Sequence, residues 1–110
     1  MEITTEHFKH CDLVKTVGRI DSQTSPKLAD VFNAILEYGQ YNIVLDMHEV
    51  NFVSSAGLRV LINTQKQCKA KRGELVLAGV PERIYEALDM AGFIPLFRIT
   101  EDVVHAIGNL

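Results

Sequence analysis

The fold of this chain is decided by residues 50–61, which read VNFVSSAGLRVL. The stretch predicts the end of a buried strand, a short crossing, and then Ser54 and Ser55 at the start of an amphipathic helix. A helix N-terminus is electropositive and leaves backbone N–H groups unpaired, so a serine there can cap the helix or carry a phosphate. Gly57 has no side chain, which allows another backbone or a second protein to approach closely. The stretch therefore predicts a site of docking or modification.

Outward from this stretch, strands alternate with helices. Apolar and alternating runs predict strands at residues 1–9, 11–17, 42–47, 74–78 and 96–99. The first two strands are expected to form a hairpin, with Gly18 ending the second. The runs at residues 42–47 and 74–78 do not alternate, which is typical of strands covered on both faces.

Four helices are predicted from capping residues and helical spacing. Their expected starts are Ser25-Pro26, with Ser25 as the cap, then Ser55, Pro81 and Thr100-Glu101-Asp102. Glycines are expected to end the first three, at Gly39, Gly73 and Gly92. The helix from Ser55 to Arg72 is expected to bury Leu58, Leu61, Ile62, Gln65 and Cys68, and the next helix Ile84, Leu88 and Ala91.

The order β-β-α-β-α-β-α-β-α indicates an α/β fold with a mixed, mostly parallel sheet of about four to five strands. Functional sites in such sheets gather at the carboxyl ends of the central strands. Asp46 is expected to end one of these strands and Asp21 follows another, so both acids are candidates for a site shared with the serine loop. The conservative interpretation is that each carboxylate caps a turn.

Composition excludes several classes of protein. The chain has 110 residues, 47% hydrophobic and 23% charged, with a formal net charge of −3, as in an ordinary globular domain. Its scattered Lys and Arg residues do not form the basic face of a nucleic-acid binder, and no apolar run is long enough to span a membrane. Cys11 and Cys68 lie far apart and no leader pattern is visible, so we expect a cytoplasmic location.

The residues do not predict an enzyme. There is no Gly-x-Ser-x-Gly elbow, no phosphate-binding glycine pattern and no cluster of His, Cys and carboxylates at metal-ligand spacing, so neither metal nor cofactor is expected. Helix capping is the ordinary role of Ser54 and Ser55. Arg59, four residues beyond Ser55, could reach a phosphate there, although exposed arginines on helices are usually only solvated.

Four segments resemble the STAS domain family, in particular the bacterial anti-sigma factor antagonists. They are IVLDM with VNFVSSAGLRVL within residues 42–61, VGRID before the first helix, GELVLAGV at residues 73–80 and LDMAGF at residues 88–93. The similarity covers essentially the whole chain, so residues 1–110 are interpreted as one STAS domain.

The resemblance implies a switch. In that family the motif serine is phosphorylated by a partner anti-sigma factor that is itself a serine kinase using ATP. The unphosphorylated antagonist binds this partner and frees the sigma factor, and a PP2C-type phosphatase restores the unmodified form. Matched by position, the phosphoacceptor is Ser55, with adjacent Ser54 as the alternative because it stands where many relatives have an acidic residue.

The resemblance also assigns the neighbours of the phosphoacceptor. The partner-binding residues near the site are expected to be Asp21, Asp46, Ser54, Ala56, Gly57 and Arg59. Two other functions remain open. The domain could be a STAS scaffold in a stressosome-like or lipid-transport assembly, or a sensor that binds a nucleotide or small anion at the helix start.

Overall fold

The computed structural model describes all of residues 1–110 and confirms the predicted order of elements. The strands are β1 (Glu2–His7), β2 (Asp12–Ile20), β3 (Asn42–Val53), β4 (Glu74–Ala78) and β5 (Arg98–Thr100). The helices are α1 (Ser25–Glu37), α2 (Ser55–Ala70), α3 (Glu82–Met90) and α4 (Val103–Gly108), with a 3-10 turn at Ile94–Leu96.

One five-stranded sheet, in the order β1-β2-β3-β4-β5, carries all the strands. The hairpin of β1 and β2 is antiparallel, and the other three pairings are parallel. The mixed, mostly parallel sheet predicted from the element order is therefore confirmed. No helix combines the length and apolar character needed to cross a lipid bilayer.

The two central strands are covered on both faces, as their unbroken apolar runs predicted. Ile43, Leu45 and Met47 of β3 pack in the main core with buried residues of α1, α2 and α3. Val44 points the other way, into a smaller cluster with Ala106 of α4. Since side chains alternate along a strand, three helices lie on one face of the sheet and α4 on the other.

β2 is longer than predicted, whereas β3 joins two stretches that were predicted separately. Gly18 was expected to end β2, but the strand continues to Ile20, which is fully buried. Gly18 has φ +103° beside a register shift, so the strand bulges there instead of stopping. β3 continues past Met47 to Val53, where the sequence predicted the end of a buried strand, and its parallel pairing with β2 runs on to Ile20 opposite Val53.

Several helix ends also differ from prediction. Ser25 is not the cap of α1: Thr24 occupies that position, and Ser25 is buried inside the first turn. At the end of α2 the left-handed residue is Arg72, with φ 64°, and not Gly73. Gly73 serves a different need, because a Cβ there would lie 2.0 Å from the Tyr41 carbonyl oxygen.

Predictions near the C-terminus are partly confirmed. Ala91 was expected to face inward but is exposed at the end of α3, and Leu96 lies in the 3-10 turn before β5. Gly92, with φ +80°, follows α3 as predicted. Asp102 caps α4 as predicted, since its carboxylate accepts a 2.9 Å hydrogen bond from the His105 backbone N–H.

The buried side chain of Gln65 ties α2 to the sheet. Its amide oxygen accepts from the Leu75 N–H at 2.7 Å, and its amide nitrogen donates to the carbonyls of Leu75 at 3.1 Å and Leu96 at 2.9 Å. The pairing of β5 with β4 begins only at Val76. Gln65 thus satisfies backbone groups at the start of β4 that no neighbouring strand reaches.

We expect Gln65→Leu to lower the free energy of unfolding by about 1–3 kcal/mol, because it leaves buried backbone groups without partners. Urea denaturation followed by circular dichroism measures the change. Gln67→Leu is the matched control, since Gln67 is exposed on the same helix and should change stability by less than about 0.5 kcal/mol. Equal effects of the two substitutions would contradict this role.

Candidate functional site

The start of α2 is fixed against the end of β2 by one carbonyl group. The Ile20 oxygen accepts a 2.8 Å hydrogen bond from the Ser54 N–H. It also lies against Gly57, where a Cβ would approach it to 2.6 Å. Glycine at position 57 is therefore required by the close approach of the two backbones, as the motif suggested.

The two adjacent serines have different environments. Ser54 is the N-cap of α2, and its hydroxyl oxygen accepts a 3.1 Å hydrogen bond from the Gly57 N–H. Ser55 is the first residue of the helix and is exposed to solvent. The capping role therefore belongs to Ser54, which leaves the Ser55 hydroxyl at the electropositive helix start.

Asp21 lies next to this junction and organises the loop from β2 to α1. Its carboxylate accepts hydrogen bonds from the backbone N–H groups of Gln23 and Thr24, at 3.0 and 3.1 Å. The Thr24 bond above all holds the pKa of Asp21 below its ordinary value. The conservative interpretation of Asp21 as a turn-capping residue is confirmed, and Ile20 joins that turn to the serine loop.

Asp46 is in a different part of the molecule from the one predicted. It does not end β3, which continues to Val53, and its buried carboxylate accepts a 3.1 Å hydrogen bond from the His48 N–H. Asp46 lines a cleft with Gly79 and the start of α4, whereas Ser55 lines another. Asp21 and the serine loop are brought together, and Asp46 stands apart from them.

Ser55 borders an apolar groove that sequence reasoning missed. The groove has a volume of about 350 Å³ and lies between the β3–α2 loop and α3. It is lined by residues 51–55 and by Leu58, Arg83, Ile84, Ala87 and Leu88. The contribution of α3 had no sequence signal, because nothing in its local pattern indicates that it packs beside residues far earlier in the chain.

The cations around the groove are not those that the sequence singled out. Arg59 is exposed and does not line the groove, whereas Arg83 of α3 does. Arg19 lies over the ring of Phe52, with its guanidinium carbon 4.1 Å from the ring centroid. Ala56 is half-buried in the first turn of α2.

Three histidines contact carboxylates, but no metal-binding cluster results. The pairs are His7–Asp12, His48–Asp46 and His105–Asp102, at 2.8, 2.7 and 2.7 Å. The contact with Asp102 raises the pKa of His105, and the His105 backbone N–H lowers the pKa of Asp102. No group of three or more His, Cys or carboxylate side chains is placed to hold a metal ion.

Comparison with known families identifies the architecture. The sequence profile of the STAS domain matches residues 2–106. The chain belongs to the STAS domain family.

The chain is also similar in sequence to anti-sigma factor antagonists of other bacteria. The chain is 27% identical to the anti-sigma F factor antagonist of Paenibacillus polymyxa, over all of this chain and 95% of that protein. It is 28% identical to the anti-sigma-B factor antagonist of Staphylococcus epidermidis, over 92% of this chain and 95% of that one.

The solved structures show the same fold at low sequence identity. The anti-sigma factor antagonist of Mycobacterium paratuberculosis superimposes with a TM-score of 0.87 at 20% identity, over 98% of this chain and 92% of that one. The antagonist SpoIIAA in its unphosphorylated form has a TM-score of 0.84 at 14% identity, over 98% and 95%. The phosphorylated form of SpoIIAA from Bacillus has a TM-score of 0.78 at 14% identity, over 98% of each chain.

Because Ser54 caps the helix and Ser55 does not, alanine substitutions should separate the two. Ser54→Ala should lower the free energy of unfolding by about 1 kcal/mol, while Ser55→Ala should change it by less than about 0.5 kcal/mol. Urea denaturation of both variants measures this difference. A larger loss from Ser55→Ala would reverse the assignment of the cap.

Gly57→Ala should destabilise the domain by about 1–3 kcal/mol, because its Cβ would be forced against the Ile20 carbonyl. Gly108→Ala is the matched control: Gly108 is also helical, and a Cβ there meets nothing within 4 Å. It should be neutral or stabilising by up to about 1 kcal/mol. Thermal and urea unfolding of both variants test the contrast, and a neutral Gly57→Ala would refute the close contact.

Proposed function

We propose that this chain is an anti-sigma factor antagonist that is switched off by phosphorylation of Ser55. The unphosphorylated form binds an anti-sigma factor that is also a serine kinase, and a PP2C-type phosphatase restores it. The names of the curated relatives and the STAS fold support the antagonist role. Because the partner would use ATP, we place the switch in the cytoplasm.

The observation that carries the proposal is the exposure of Ser55 at the first position of α2. A kinase must bring the serine oxygen to the γ-phosphorus of ATP, and an exposed side chain allows this. The oxygen then gains the phosphoryl group, while ADP leaves and the hydroxyl proton is released. The helix start favours the new negative charge within the domain itself.

Ser54 preserves the N-cap of α2, although many relatives have an acidic residue at this position. Aspartate and serine are both strong N-caps, since each offers a side-chain oxygen to the free N–H groups of the first turn. The bond from Gly57 N–H to Ser54 Oγ supplies that oxygen here. Serine at position 54 therefore still caps α2, and the hydroxyl of Ser55 remains free.

The physical effect of phosphorylation is expected at the interface and not in the fold. A phosphoserine carries close to two negative charges, and here it would stand at the rim of the apolar groove. A partner seated on this groove would have to desolvate that charge or meet it with acidic groups. Either outcome weakens binding while the sheet and its core stay unchanged.

We expect Ser55→Asp to bind the cognate anti-sigma factor at least about tenfold more weakly than Ser55→Asn, because like charges at an interface cost several kcal/mol and each 1.4 kcal/mol is tenfold. Asparagine matches aspartate in size but lacks its charge. Titration calorimetry with the purified anti-sigma factor measures both affinities. Equal affinities would rule out the charge mechanism.

The phosphoacceptor is tested by incubating the chain with that partner and ATP, followed by peptide mass mapping. Phosphate should appear on Ser55, persist in Ser54→Ala and be lost in Ser55→Ala. Phosphate found only outside Ser54 and Ser55 would refute the assignment. A large assembly of the isolated chain on size-exclusion chromatography, without binding to the partner, would instead favour the scaffold function.

A further inference from the structure

Arg83 lies in the first turn of α3 between two clefts. On one side it lines the groove that holds Ser55, together with Leu58 and Leu88. On the other side it lines a shallower cleft with His48 and Glu49. Arg83 therefore borders two clefts that differ in their negative charge. Glu49 is already present in one, and the other gains a charge only if Ser55 is modified.

The negative charge of Glu49 is already paired with Lys15. The Glu49 carboxylate is 2.9 Å from the Lys15 ammonium group and 3.7 Å from the His48 ring. Its hydrogen bond with Lys15 lowers the pKa of Glu49, as expected for a satisfied carboxylate. Arg83 is exposed and forms no salt bridge with a carboxylate.

We propose that Arg83 is the phosphate-binding residue of the switch, pairing across the groove with a phosphoryl group on Ser55. This inference rests on the proposed phosphorylation of Ser55. The planar guanidinium offers two parallel N–H donors to phosphate oxygens, a geometry that a lysine does not provide. The N–H groups of the first turn of α2 that have no partner within the helix would be further donors to the same phosphate.

The walls of the groove strengthen this pairing. Val53, Leu58 and Ile84 contribute apolar surface beside the two charged groups. Apolar walls reduce screening by water, so opposite charges there attract one another more strongly than on an open surface. The resulting ion pair would run from the start of α2 to α3 and cover the apolar groove. Phosphorylation would then close the docking surface as well as placing charge on it.

Arg59 is the natural comparison, because sequence spacing pointed to it and not to Arg83. It is exposed on α2 but does not line the groove. A phosphate that turned toward solvent would meet Arg59, whereas one held over the groove meets Arg83. The two arginines therefore distinguish two orientations of the same modification.

The test uses the full chain with phosphoserine installed at position 55 by genetic code expansion, so that no kinase is needed. A ³¹P NMR titration gives the second pKa of the phosphate, ordinarily about 6. A facing arginine should lower this pKa by about one unit. The lowered value is expected in the unsubstituted chain and in Arg59→Gln, and it should return toward about 6 in Arg83→Gln.

A second measurement detects closure of the groove. Amide hydrogen exchange of α3 should slow about tenfold on phosphorylation in the unsubstituted chain, because the ion pair opposes local opening, and it should remain unchanged in Arg83→Gln. The assignment to Arg83 would be overturned if the phosphate pKa in Arg83→Gln stayed as low as in the unsubstituted chain. It would also be overturned if Arg59→Gln alone raised this pKa back toward about 6. Because phosphoserine is incorporated at position 55 during translation, these results are independent of whether a kinase modifies Ser55, which the mass mapping decides separately.

Discussion

The structure of the site depends on the contact between the Ile20 carbonyl and the first turn of α2. That oxygen accepts the Ser54 N–H and allows no side chain at position 57. Because β2 and β3 remain paired up to Ile20 and Val53, the two strands end side by side and send the chain into α1 and α2. The same contact therefore fixes the helix that presents Ser55 and the adjoining turn that Asp21 organises.

This contact also explains why two neighbouring serines can have separate roles. Ser54 donates its backbone N–H to the Ile20 carbonyl and is thereby held at the N-cap position, where its hydroxyl oxygen accepts from the Gly57 N–H. Ser55 begins the helix and is exposed. A capping hydroxyl is engaged in holding the helix end, so the free one is the group suited to modification. The local structure thus separates stability from the proposed regulation by a single residue.

The site extends beyond the serine loop because α3 completes it. Ile84 and Leu88 anchor α3 in the main core, and this packing places Arg83 and Ala87 on the groove beside Ser55. The arrangement joins an electropositive helix start, an apolar groove and an unpaired arginine. These features give one account of how a single phosphoryl group would act on a docked partner, through its charge and through occupation of the groove, without a change of fold.

The local patterns in the sequence determined the element order, the buried central strands, the cap at Asp102 and the motif that presents Ser55, because periodicity and capping depend on near neighbours. Tertiary structure decided where β2 ends, since residues 18–20, which begin with a glycine, continue the strand only because β3 pairs with them. It likewise placed Asp46 in a separate cleft and Arg83 on the groove. Those positions arise from packing between distant segments, which no local pattern records.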